Sequence, residues 1–419
     1  MIYLDYSATT PVDEGVLDSY VKVTRDYIAN ANSIHTLGVR SKELLMQATN
    51  QIADIFNCHP KELIFTSGAS ESNTTAVKGV AFKYASRGKH IITSKLEHKS
   101  ILEVMGFLSG IGYEVSFVNI LPNGQIDLKD LESLIRDDTI LVSICAVNSE
   151  TGFRQPLKTI RQVINKKNPN VIFHSDLTQA LGKTKFYLSD LDLASFSSHK
   201  IYSPKGIGIL YKKRDLQIDT LIYGTTENCP FRGGTPALPL IVSFAKGMRL
   251  INDKLDSNIK KCEKLKSELL KGLSKYPIQI NSNDLCVPQI VNFSLLKIKS
   301  ETFVHALERY DVYVSTTTAC SSLEESTVLK AIANGDKSVS TTSIRVSLSH
   351  LTTMTEIHEF LEIFDKIGMK VIPIVADNGA MGGKKSEEFM IISEQGEDKI
   401  LYDDKIGIGI NTEVLEKEN

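Results

Sequence analysis

The sequence predicts an α/β fold: a mixed, mostly parallel sheet sandwiched by helices, followed by a smaller α+β unit. Three observations predict it. From about residue 15 to 250, short β-branched apolar runs alternate with amphipathic stretches, and strands that alternate with helices imply the crossover connections of a parallel sheet. Polar residues gather just beyond those strand runs, where open parallel sheets bind ligands. The chain has 419 residues, more than one ordinary core accommodates, so two lobes are expected.

In chain order, a first strand falls at 2–5. Strand runs follow at 62–67, 90–94, 114–118, 140–147, 171–175, 193–197 and 208–211, with helical periodicity at 73–86 and 158–165 between some of them. A long charged amphipathic stretch at 257–273 reads as a helix bridging the lobes. After it, strands at 289–294, 312–315 and 344–348 alternate with helices near 301–310 and 356–367. The domain reading is a large lobe over 15–250, a small lobe made of 1–14 and 251–375, and a tail over 376–419. Within the tail, 377–385 is Gly-rich and polar, and 389–410 suits a hairpin.

Composition narrows the function classes. Apolar residues make up 42% and charged residues 23%, an ordinary globular balance. The net charge is −2 with Lys and Arg spread along the chain, which leaves no nucleic-acid footprint. The longest apolar runs are strand-sized, too short to span a bilayer, and no leader-like segment precedes the first strand run. Six cysteines (Cys58, Cys145, Cys229, Cys262, Cys286 and Cys320) are scattered without a CxxC pair. That usage fits a reducing cytoplasm and neither a disulfide framework nor a metal site.

Just past the strands stand Gly68-Ala69-Ser70, His98, Asn148-Ser149-Glu150, Asp176 with Gln179, and His199-Lys200. At 66–73 a strand ends, Gly permits a turn, and a helix begins with unpaired N–H groups. This arrangement serves as a phosphate site aided by the Ser70 hydroxyl, or as a plain helix cap. Asp176 follows an apolar strand, where a carboxylate can pair with a protonated ring nitrogen or cap the next turn. Lys200, hemmed by Ser197, Ser198, Gly206 and Gly208, is a candidate Schiff-base amine.

The segments 3–11 (Tyr3-Leu4-Asp5-Tyr6-Ser7-Ala8-Thr9-Thr10-Pro11), 66–73, 97–99 (Glu97-His98-Lys99), 176–179 and 195–208 resemble, in that order, the class V aminotransferases of fold-type I. They are most similar to cysteine desulfurases of the NifS/IscS type, and the resemblance runs from residue 3 to about residue 370. It implies a fold-type I transferase whose large lobe binds pyridoxal 5′-phosphate. Lys200 is then implied to carry the cofactor and to move the substrate's α-proton. Asp176 holds the ring nitrogen, while Gln179 and Ser149 serve the ring oxygen. His98 stacks on the ring and takes part in proton transfer. Ala69, Ser70, Ser197 and His199 hold the phosphate. Thr235, within Arg232-Gly233-Gly234-Thr235, is implied to reach the neighbouring subunit's phosphate, hence a homodimer. Asn30 and Arg345 are implied to orient the substrate carboxylate, for which the planar guanidinium is suited.

Residues 315–324 resemble the loop that carries the sulfur-accepting thiol, which assigns that role to Cys320. Such a thiol reacts as thiolate and needs exposure and a depressed pKa. The implied activity converts L-cysteine to L-alanine with a persulfide on Cys320, passed to an acceptor protein for iron–sulfur clusters or thiolation. The chain departs from the family at Ser149 (usually Asn), Ala146 (commonly His), Leu177 (usually Ala), Ala31 (usually Pro), and Thr225 and Thr226 in a usually Gly-rich stretch. The loop after Cys320 is shorter by about two residues, which limits its reach. Two alternatives stay open: a lyase or aminotransferase using the same cofactor on another amino acid such as selenocysteine, and a weakly catalytic regulatory paralogue.

Overall fold

The first buried apolar residues, Ile2 and Leu4, do not join the strands that follow them in sequence. They belong to β1 (Ile2–Tyr3) and its extension, which reach across to the C-terminal half. The computed structural model describes residues 1–224, 231–316, 326–333 and 335–367, together with the strands at 371–376, 386–391, 400–403 and 408–411. After β1 the chain forms helices α1 (Glu14–Asp26) and α2 (Thr36–Phe56).

Seven short strands then make the central sheet: β2 (Leu63–Thr66), β3 (His90–Ser94), β4 (Glu114–Val118), β5 (Thr139–Ser143), β6 (Ile172–Asp176), β7 (Leu193–Ser197) and β8 (Gly208–Lys212). The five central strands β3, β5, β6, β7 and β8 are buried along their whole length, which requires cover on both faces. Helices α3 (Ala69–Lys83), α4 (Lys99–Gly110), α5 (Leu128–Leu134) and α6 (Leu157–Lys167) are the crossovers that supply it, together with α7 (Leu238–Asp253). One face packs Ile52, Phe56, Ile160, Phe196 and Phe244; the other packs Val77, Val80, Ile101 and Met105. The strand order is β2-β8-β7-β6-β5-β3-β4, and β8 alone runs antiparallel to its neighbours. The run expected at 140–147 is regular only to Ser143, yet Ile144 and Ala146 still donate to the His174 and Asp176 carbonyls before the chain turns.

Helix α8 (Leu255–Leu273) leads to the second unit: β9 (Gln279–Ile280), β10 (Ile290–Ser294), α9 (Ser300–Glu308), β11 (Val312–Tyr313), β12 (Ser315–Thr316), α10 (Thr327–Ile332), α11 (Lys337–Thr341), β13 (Ser343–Ser347) and α12 (Met354–Ile367). The strand expected at 312–315 splits in two. β11 pairs in parallel with β1, whereas β12 joins the antiparallel sheet β12-β13-β10-β9. Leu4, Leu269, Phe293, Phe303 and Phe364 share its core.

In the tail, β14 (Val371–Ala376), β15 (Ser386–Ile391), β16 (Ile400–Asp403) and β17 (Ile408–Asn411) form a sheet ordered β15-β14-β17-β16. The hairpin anticipated at 389–410 is therefore β16 with β17, while β15 pairs with β14, a strand that starts ahead of the expected tail. The Gly-rich stretch 377–385 lies outside the described residues. Among the described residues no helix is long and apolar enough to cross a membrane, and Cys58, Cys145, Cys262 and Cys286 are free thiols.

Phe196 stacks on Phe56 with ring centroids 4.6 Å apart and is fully buried. Phe196→Ala should lower stability by about 3–5 kcal/mol, read as a reduced urea midpoint with an unchanged slope.

Candidate active site

The carboxyl ends of the central strands open on a cavity of about 610 Å³. On one side β2 ends and α3 begins after Gly68. The first intrahelical bond there runs from Ser72 N–H to Gly68 C=O, and no side chain caps the helix. The N–H groups of Ala69, Ser70 and Glu71 thus precede the helical ladder, as at anion-binding helix starts. The Glu71 carboxylate, which also lines the cavity, is engaged: it accepts from Ser67 N–H at 2.7 Å and pairs with Arg232 at 2.9 Å. Burial opposes its ionisation, but those bonds outweigh it and hold the carboxyl below its usual range.

On the opposite side, β7 runs into a tight turn carrying His199 and Lys200. The Lys200 amine donates to the Ser7 and Ala8 carbonyls, both at 2.6 Å. Burial first, then the Arg345 guanidinium, pushes it down to about 8, against the pull of Asp5 and Asp176. An amine so placed has a usable neutral fraction. His199 is pushed down to about 4 by burial and by Lys200, so its ring is neutral. Its Nδ1 lies 3.1 Å from Thr9 Oγ1.

Between these sides, Asp176 ends β6. Its Oδ2 accepts from Asn73 at 2.8 Å and its Oδ1 from Thr178 N–H at 2.9 Å. Gln179 donates to Ser7 C=O at 2.9 Å, and its Oε1 is buried without a partner. His98 caps α4 by accepting from Ser100 N–H at Nδ1, 3.2 Å, which leaves Nε2 as the N–H of the neutral ring. Arg345, on β13, donates to Ser149 C=O at 3.2 Å and pairs with Asp5 at 2.7 Å.

Of the residues the sequence singled out, Ala69, Ser70, His98, Ser149, Asp176, Gln179, Ser197, His199, Lys200 and Arg345 all line this one cavity. Asn30 does not; it is exposed in the loop between α1 and α2 and accepts from Asn32 N–H. Thr235 is exposed and also lies outside the cavity lining. Cys320, like Thr225 and Thr226, falls outside the described residues. The structure adds Asn73, which fixes the Asp176 carboxylate, and Asp5, which engages Arg345. Both sit within the quoted motifs, but neither type announces a site by itself.

A family model described as aminotransferase class-V matches residues 2–360. The chain belongs to the class-V aminotransferases. Within that family it is 40% identical over 376 residues to a protein of Klebsiella pneumoniae subsp. pneumoniae named cysteine desulfurase IscS, covering 87% of this chain and 92% of that one. A solved NifS-like protein superposes with a TM-score of 0.83 at 35% identity, covering 87% and 98% of the two chains. A solved structure of SspA in complex with cysteine gives a TM-score of 0.74 at 32% identity over 84% and 100%. As a class-V aminotransferase the chain uses pyridoxal 5′-phosphate, and its residues fit that group. They offer an amine for the aldehyde, a buried carboxylate for the ring nitrogen, and open N–H groups for the phosphate.

One further acid borders the site. Glu97 Oε1 accepts from Cys145 N–H at 2.7 Å and Ser94 Oγ at 2.9 Å, while Oε2 is buried and unpartnered. Burial pushes its carboxyl from 4.5 up to about 8, so it stays protonated at neutral pH. The folded state then keeps a proton that the unfolded chain loses above 4.5, and stability falls with rising pH between those values, by up to ~1.4 kcal/mol per pH unit. Glu97→Gln, a neutral isostere, should remove that fall. Thermal midpoints of variant and wild type should diverge from pH 5 to pH 8 in the variant's favour, and a constant difference contradicts the buried neutral acid.

Proposed function

We propose that this chain is a pyridoxal-phosphate-dependent cysteine desulfurase that converts L-cysteine to L-alanine and retains the sulfur as a persulfide on Cys320. One observation carries the reading: the Lys200 amine, the Asp176 carboxylate and the open N–H groups of α3 face a single cavity. The relative named cysteine desulfurase and the solved cysteine complex supply the substrate class.

When bound, the cofactor supplies an electron sink, its protonated ring accepting the electron pair left when the substrate's α-proton departs. Asp176 keeps the proton on the ring nitrogen, held in place by Asn73 and Thr178. Ala69, Ser70, Ser197 and the neutral His199 hold the phosphate. Gln179, whose amide has a second N–H, would serve the ring oxygen with Ser149, and His98 would stack on the ring. Lys200 takes the α-proton as a neutral amine and returns it. Arg345 orients the substrate carboxylate. The Cys320 thiolate then attacks the substrate sulfur: an S–S bond forms, the C–S bond breaks, and carbon keeps its electron pair and takes a proton to give alanine.

The proposal extends to a homodimer in which Thr235 serves the partner subunit's site, to a cytoplasmic setting, and to an acceptor protein for the persulfide sulfur. The lobe boundaries at 15–250 for cofactor binding and 1–14 with 251–375 for the small lobe belong to the same reading.

Full-length protein loaded with pyridoxal phosphate should release alanine from L-cysteine with sulfide in the presence of a thiol reductant. Lys200→Ala should lower alanine formation by about 10²–10⁴-fold, and Cys320→Ala should abolish protein-bound persulfide. A Cys320→Ala protein that still releases alanine and sulfide at the wild-type rate sinks the persulfide step and favours a lyase.

A further inference from the structure

Lys200 borders a second space on its other side. This narrow chamber measures about 20 Å³, room for one water molecule. Among the described residues Lys200 alone lines both this chamber and the active-site cavity. Lys183 also faces it: the side chain is 7% exposed and its Nζ makes no hydrogen bond to the protein. Gln289, 4% exposed, turns into the same chamber with its Oε1 unpartnered. A buried donor and a buried acceptor left open on one water-sized space satisfy the requirement for a bridging water.

A buried ammonium ordinarily has a carboxylate beside it, and among the described residues none lines this chamber. Its other titratable groups are Tyr6, Tyr202, Cys262 and His350. Burial pushes Tyr6, Tyr202 and Cys262 up and His350 down, so all four are uncharged near neutrality. Lys261 lies beyond Cys262 and Arg345 beyond Lys200, both positive. Asp5 and Asp176 face Lys200, from the active-site side. Burial, then the charge on Lys200, pushes the Lys183 amine down to about 7.

We propose that Lys183 and Lys200 form a coupled pair of amines that shares one proton across the chamber, so that Lys183 sets the proton affinity of Lys200. The proposal rests on the reading of Lys200 as the cofactor-bearing residue. Two amines that meet in a chamber lined by no carboxylate do not both hold a proton cheaply, and they titrate as a pair. With Lys200 bonded to the cofactor, the proton would divide between Lys183 and the Lys200 nitrogen. When substrate releases Lys200, a positive charge on Lys183 opposes protonation of the freed amine and so favours the neutral form that takes the α-proton, as in sites where one cation activates another lysine. Lys183 touches no substrate and acts through Lys200; it is a positioning residue.

The test is a spectroscopic pH titration of the cofactor-loaded full-length chain, following the visible band that reports protonation of the Lys200 nitrogen. The wild-type curve should be broader than a one-proton titration. Lys183→Met and Lys183→Gln should sharpen it and raise its midpoint by about 0.5 pH unit or more. A wild-type curve of one-proton width, or variants that fold, carry the band and leave the midpoint within about 0.2 unit, overturns the pair. A wild-type chain without the band overturns the cofactor reading itself, and this proposal with it.

Discussion

Strand β8 runs against every other strand of the central sheet, and the site depends on that reversal. Leaving β7 at Ser197, the chain must turn back at once to enter between β7 and β2. His199 and Lys200 are thereby confined to a tight turn at the carboxyl edge of the sheet, beside the strand that feeds α3. The approach is close: a Cβ on Gly208 would come within 2.6 Å of Gly68 Cα and of the Phe196 carbonyl. The N-terminal segment locks the turn from above, with Thr10 donating to His199 C=O at 3.0 Å and accepting from Tyr202 N–H at 2.7 Å. Anion cradle and amine are thus set by one backbone arrangement, without reliance on long side chains.

The site's ionisable groups are arranged so that few carry an unbalanced charge. Glu71 is matched by Arg232 and Asp5 by Arg345. Glu97 is kept neutral by burial, and so is His199. His174, behind Asp176, lies between Ser143 and Ser195 at 2.9 and 3.0 Å and is pushed down to about 4 by burial. What remains is the Asp176 carboxylate, fixed by neutral donors, and the lysine amines. Electrostatic preorganisation of this kind places the working charge where a cationic ring needs it.

Much of this was legible in the sequence because it rests on local pattern. The strands at 90–94 and 193–197 have their expected limits, since buried runs bounded by polar turns define themselves; the half-exposed edge strand 114–118 keeps its limits as well. The cluster of strand-exit residues was legible because a parallel sheet brings its carboxyl ends together. What stayed hidden depends on distant pairing. Nothing local shows that 312–315 divides between two sheets, that β15 turns back to β14, or that Asp5 meets Arg345. Helix α3 starts at Ala69, right after the Gly68 turn; apolar periodicity shows only from 73, because the first turn is polar. Lys183 reads as an ordinary basic residue between Gly182 and Thr184; only tertiary burial strips it of partners.

The pairing of β1 with β11, together with the bonds from Ser347 N–H to Leu4 C=O and from Arg345 to Asp5, sets an order of events at the ribosome. The opening residues of the chain have their partners more than three hundred positions downstream. At typical elongation rates they wait roughly 15 to 60 s before those partners are made. Until then the segment that receives the Lys200 amine through its Ser7 and Ala8 carbonyls has no second anchor, and the large sheet can complete itself without it. Synthesis thus imposes a delay between folding of the scaffold and assembly of a working centre.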